Sequence, residues 1–232
     1  MTRDLIIVGA GGFARETAAA VVALNDVSPT WRLRGFLDDD PAKAGRRYGP
    51  ARVLGPLSTV DEWSRASVVV CVGNPRDHLS RARVVERLGL SADRYATIVH
   101  PAAQVGLGCL VGPGTVLLAQ VVLTADVSIG AHVAVMPHAV FTHDDVVEDC
   151  VTVGAGVRLG GGVRIGQGAY LGAGALVRES VTVGAGALLG MGAVTLHDVP
   201  PHEVWAGNPA RRLGATTLSA GAAGLPLRSA AR

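Results

Sequence analysis

The chain has 232 residues, 49% of them apolar and 17% charged, enough for one sizeable core or two modest ones. Its formal charge of +2, with no basic stripe interleaved with aromatics, excludes a nucleic-acid footprint, and no apolar stretch approaches the ~20 residues of a membrane span. With 31 glycines and only 4% aromatics, it must close part of its interior with small aliphatic side chains, which favours many thin repeated layers.

The N-terminus, MTRDLIIVGAGG, lacks the long apolar h-region and small-residue cleavage site of a secretory signal, so a cytoplasmic location is expected. LIIVGA (5–10) reads as a buried strand, GGFARETAAAVVALN (11–25) as a helix opened by glycines, and WRLRGFLDDD (31–40) as a second strand ending in acid. A continuous apolar run, VVVCVGN (68–74), precedes the helical pattern SRARVVERLGL (80–90). Strands alternating with helices predict a small parallel α/β domain over 1–97. Cys71, Cys109 and Cys150 are widely spaced, with no CxxC pair, and read as free thiols in a reducing compartment.

From Val99 the pattern changes. Cut in sixes, residues 99–194 give 16 hexads without insertion or deletion; every first position is Val, Leu, Ile or Phe, and 15 of 16 fifth positions are Ala, Val, Thr or Cys. A repeat of this strictness predicts a parallel β-helix, with three short strands closing each triangular coil of 18 residues and the first-position aliphatics filling the interior. The solenoid and its closing segment span 98–213, and 214–232 form a tail without periodicity.

One coil breaks the pattern. Glycine holds nine of the second positions, yet VMPHAV, FTHDDV and VEDCVT, which together make the coil 135–152, all lack it. Asp145 is the one fifth position that is not small and largely apolar. A carboxylate there must either swing out of the coil or find hydrogen-bonding partners, because burying it alone is costly. His143 falls at a third position, on the turn, with Asp144 beside it. A histidine next to a carboxylate on a rigid edge suits a general base, the acid fixing the tautomer and stabilising the imidazolium. A solvated turn has the same composition, and the residues alone name no reaction.

The hexads, the THDD element and the closing VPPHEVWAGNPARRL (199–213) resemble the hexapeptide acyltransferases built on a left-handed β-helix. GAGGFARE, GFLDDD, VLGPL and VVVCVGN narrow the resemblance to the sialic-acid O-acetyltransferase and nucleotide-amino-sugar N-acetyltransferase group. In that group a nucleotide-sugar-binding α/β domain precedes the helix. The resemblance implies His143 as catalytic base and Asp144 as its acidic partner, with Gly161, one coil on, against coenzyme A. It also implies that Gly11, Gly12, Phe13, Asp38, Asp39, Gly73 and Asn74 meet the nucleotide sugar. Thr152 stands where some relatives carry a second histidine beside the thioester, a cofactor-binding position at which it can still donate a hydrogen bond, and Met136 stands where some carry an asparagine. The activity implied is direct acetyl transfer from acetyl-CoA to a sugar amine, or alternatively to a sugar hydroxyl, by a metal-free homotrimer with active sites between subunits.

Three other readings stay open on the residues. Gly9, Gly11 and Ala14 fit G-x-G-x-x-A, with Asp38 ending the next strand, as in a dinucleotide-dependent oxidoreductase. His138 and His143 have the spacing of metal ligands in β-helical carbonic anhydrases, although Ala102 and Leu107 stand where a third histidine belongs. The solenoid could also be a scaffold beside a binding module. His78, His100, His132, His197 and His202 read as surface or structural, with His100 capping the turn before the solenoid.

Overall fold

The computed structural model describes residues 2–216. Strand β1 (Arg3–Val8) is followed by α1 (Gly12–Val27), β2 (Trp31–Leu37), the short β3 (Arg47–Tyr48) and β4 (Ala51–Gly55), β5 (Ser67–Val70) and α2 (Ser80–Leu88). The sheet runs β3-β4-β2-β1-β5 and is parallel except at its edge, where β3 and β4 form an antiparallel pair. Alternation along β1 divides the core. Leu5 and Ile7 face α1 and pack with Ala14, Ala18 and Val21, while Ile6 and Val8 face the other side with Leu57, Val60 and the apolar side of α2. β2 stops at Leu37, short of the acidic run assigned to it from sequence. There the Asp38 carboxylate accepts the N–H of Ala10, and Asp40 caps the turn that starts at Pro41, so the chain leaves the sheet.

The hexads fold as the periodicity predicts, into a three-sided parallel β-helix, left-handed as the resemblance implies. Each strand joins the sixth position of one hexad to the first of the next, and partners lie 18 residues apart, as in Val122↔Val140 and Ala134↔Thr152. The three faces hold six, five and eight strands. First-position side chains such as Leu117, Phe141 and Val153 are buried, and so are fifth-position ones such as Val121, Val157 and Ala169, so two residues of each hexad fill the core. Every fourth position from Gly108 to Gly192 is in the left-handed backbone region, including the non-glycine residues His132, His138, Asp144 and Cys150. Glu203–Ala206 adds to the eight-stranded face, and Arg211–Ala215 closes it as an antiparallel strand. The strand Arg211–Ala215 therefore runs two residues past the boundary drawn at 213, and residues 217–232 lie outside the described residues.

The two domains share a core. Ile98, Val116 and Leu118 of the first coils pack into the cluster that holds α1, and α2 sends Arg81, 1% exposed, into the backbone of the solenoid.

Candidate active site

Thr142 to Asp145 form a turn held from both sides. Thr142 Oγ1 donates to the Leu159 carbonyl at 3.1 Å, and Asp145 accepts the backbone N–H of Thr142 and of Val163, each at 2.9 Å. Asp145 is fully buried, which decides between the two options the sequence left: its carboxylate turns inward and stitches this coil to the next. Burial raises its pKa to about 7, against the pull of the two backbone donors.

With Thr142 and Asp145 anchored, the two residues between them point outward. The side chains of His143 and Asp144 are 69% and 68% exposed, and Nδ1 of His143 lies 2.8 Å from Oδ2 of Asp144. A carboxylate only accepts, so Nδ1 carries the hydrogen and the Nε2 lone pair faces away, free to take a proton. Asp144 adopts φ of 63°, a conformation Asp tolerates better than most residues. One coil on, the N–H of Gly162 donates to the His143 carbonyl at 2.9 Å. A Cβ on Gly161 would lie 2.5 Å from both Nε2 and Cε1 of the imidazole, so the ring rests in the space a side chain would fill.

A separate cleft of about 320 Å³ lies where the N-terminal domain meets the eight-stranded face. It gathers six of the residues singled out in the sequence: Gly12, Phe13, Gly73, Asn74, Met136 and Thr152. Glu16 and Tyr170 also line it and carried no sequence signal. Gly11 caps α1 without a side chain, leaving the first helical N–H groups available to an anion such as a phosphate. Asp38 stands behind this loop, accepting from Ala10 N–H at 2.7 Å and Lys43 Nζ at 2.9 Å. Burial works to raise its pKa, but the Lys43 ammonium and the backbone donors prevail and hold it below the usual carboxylate range. Asp39 turns the other way, to Leu57 N–H and Arg87, and lines a different depression with Leu57 and Val60. Within one chain, His143, Asp144 and Gly161 sit at the corner after the strand Val140–Phe141, one corner on from Met136 and the cleft.

Burial pushes the Cys150 thiol up to about 11 and the Cys71 thiol to about 12, so neither is a thiolate nucleophile near neutral pH. His100 Nδ1 accepts the N–H of Ala102, the capping role read from sequence. Arg81 was missed. It falls on the same helical side as Val84, Val85 and Leu88, and a cation in that stripe was the available signal.

A family model described as the PglD N-terminal domain matches residues 4–88. The UDP-N-acetylbacillosamine N-acetyltransferase of Bacillus subtilis (strain 168) is 31% identical over 123 residues; the match covers 50% of this chain and 52% of that relative, so it spans about half its length. The acetyltransferase domain of PglB from Neisseria gonorrhoeae FA1090 superposes with a TM-score of 0.80 at 30% identity, covering 91% of this chain and all of that one. The same domain in complex with acetyl coenzyme A gives 0.79. A mutant of perosamine N-acetyltransferase from Caulobacter crescentus, in complex with CoA and GDP-perosamine, gives 0.79 at 26% identity, with 91% and 97% covered.

Proposed function

The chain belongs to the hexapeptide-repeat sugar acetyltransferases, and from that premise we propose that it moves the acetyl group of acetyl-CoA onto the amine of a nucleotide-linked amino sugar. The observation that carries this reading is the outward His143–Asp144 pair, with Nε2 free and seated over Gly161. As the acceptor nitrogen attacks the thioester carbonyl, Nε2 takes its proton, the N–C bond forms, and the C–S bond breaks on collapse of the tetrahedral intermediate. The departing sulfur then recovers the proton from the imidazolium, which Asp144 stabilises meanwhile. No covalent acyl-enzyme is required, in keeping with the burial of the Cys71 and Cys150 thiols. The main chain at Gly161 suits the thioester arm, since a glycine lets a thin ligand approach the backbone, while the N–H groups of Gly160 and Gly162 are held by the carbonyls of Val177 and His143.

The cleft at the domain junction takes the nucleotide sugar, with its phosphates toward Gly11 and Gly12 at the start of α1. Because base and cleft occupy successive corners of one prism, a homotrimer with threefold packing sets His143 of one subunit against the cleft of the next. The enzyme works where acetyl-CoA is made, in the cytoplasm. The deciding assay incubates the protein with acetyl-CoA and a panel of UDP-, GDP- and dTDP-linked amino sugars, reading thiol release and product mass. Acetylation of a nucleotide amino sugar supports the proposal. Turnover confined to sugar hydroxyls would replace it with O-acetylation, and no turnover with any acceptor would overturn it.

A further inference from the structure

We propose that Arg81 is a positioning residue for acyl transfer, acting through the hydroxyl of Thr152; this rests on the acetyltransferase reading above. Arg81 is the second residue of α2, and its guanidinium is wholly enclosed at the junction of the two domains. No carboxylate among the described residues pairs with it; every contact is to a neutral oxygen. Nε donates to the carbonyl of His132 at 2.8 Å, and Nη1 to that of Val72 at 3.2 Å. Nη2 faces the carbonyls of Cys150 and Val151 at 3.1 and 2.9 Å and Oγ1 of Thr152 at 2.7 Å.

A buried cation with only neutral acceptors is an expensive arrangement for a simple domain clasp. Its geometry has a consequence for the cleft. A guanidinium has no lone pair to offer, so at the shortest of these contacts the Thr152 oxygen must be the acceptor. The hydroxyl hydrogen is thereby turned away from Arg81. Thr152 lines the cleft, so that hydrogen is presented to whatever enters. A hydroxyl that accepts from a cation also donates more strongly, because the charge polarises the O–H bond. The group so prepared suits the carbonyl oxygen of a thioester, which gains negative charge as the amine attacks, and the enclosed cation one residue behind favours the same charge.

The test uses full-length protein, acetyl-CoA and the acceptor found in the panel assay, with kcat, KM for acetyl-CoA and thermal unfolding measured together. Thr152→Val, which keeps the shape and removes the donor, is expected to lower kcat by roughly 10²- to 10³-fold with KM changed less than about threefold, the range for loss of an oxyanion donor. Thr152→Ser should retain kcat to within a few-fold. Arg81→Lys should lower kcat in the parent but add nothing to Thr152→Val, the signature of a residue that works through its partner. Additive losses from the two changes, or a parental kcat in Thr152→Val, would overturn the inference while leaving the acetyltransferase reading intact. If Arg81→Lys unfolds below the assay temperature, the Thr152 pair decides, and equal rates for Val and Ser sink the proposal. A parent enzyme inactive toward every acceptor removes the reading and the inference together.

Discussion

The imidazole of His143 occupies the space that a side chain on Gly161 would need, with Nε2 2.5 Å from where that Cβ would stand. The backbone of Gly161 is outside the left-handed region, so glycine is required there by the neighbour and not by the turn. Gly161→Ala should therefore leave the fold intact and push the ring off its seat, since a terminal imidazole moves more easily than a coil. The expected result is a loss of roughly 10- to 100-fold in kcat, the scale of a misplacement of about 1 Å, with unfolding temperature nearly unchanged. A parental rate would mean that the ring does not act from this seat.

His143 and Asp144 are both more than two-thirds exposed and contribute little to the core. His143→Ala is expected to cost roughly 10²- to 10⁴-fold in turnover with little change in stability, the usual range for a positioned base. Asp144→Asn preserves the left-handed backbone at φ 63° but removes the carboxylate that holds the Nδ1 hydrogen. Its amide can present N–H to Nδ1 and so favour the wrong tautomer, and a loss on the order of 10²-fold is expected. Single-turnover kinetics with saturating acetyl-CoA separate this from a binding defect.

Much of the architecture was legible because the solenoid repeats its demands. Each first and fifth position must be apolar to fill the same triangular core, so 16 hexads report one rule many times. Asp145 stood out as the exception, yet its direction was not readable, because its partners are backbone N–H groups at Thr142 and Val163 that carry no sequence signature. The β3–β4 edge was equally silent, since β3 has only two residues and offers too little alternation to read. Of the residues singled out for the nucleotide sugar, Gly12, Phe13, Gly73 and Asn74 meet in one cleft, while Gly11 and Asp38 do not line it and Asp39, past the end of β2, is drawn away by the N–H of Leu57 and by Arg87. Arg81 could be told from the other helix arginines by its place on the apolar side with Val84, Val85 and Leu88, but the carbonyls it meets come from the solenoid and only tertiary packing shows them.

His132 gives the fold an acid-sensitive point. Its ring is 8% exposed, edge-on to Tyr95 at 4.4 Å, and its Nδ1 has no hydrogen-bond partner. Burial, with the Arg81 cation assisting and Asp149 opposing, lowers its pKa from 6.5 to about 4. The unfolded chain therefore binds the proton more readily, so the stability from keeping this ring neutral is complete above pH 6.5 and is lost as pH falls through about 4. The contribution is on the order of 3 kcal/mol. His132→Asn tolerates the left-handed backbone and does not titrate, so its urea midpoint should vary less than the parent's between pH 7 and pH 4. Parallel midpoint curves would show that the ring is not the acid-sensitive group.

The placement of base and cleft at successive corners makes the enzyme divisible in a testable way. His143→Ala removes the proposed base but leaves the cleft, whereas Gly73→Trp fills the cleft and leaves His143; a Cβ at Gly73 meets nothing within 4 Å, so the bulk projects into open space. If each active site takes its histidine from one subunit and its cleft from the next, both homogeneous variants are inactive. Trimers formed by co-refolding the two would nevertheless contain junctions where an intact His143 faces an intact cleft, and activity should return to a fraction set by random mixing. A site built within one chain predicts no recovery at any ratio, because every subunit then carries a defect of its own. Sedimentation of the parent as a trimer is a necessary companion result, since a monomer that turns over substrate would place base and cleft in the same chain.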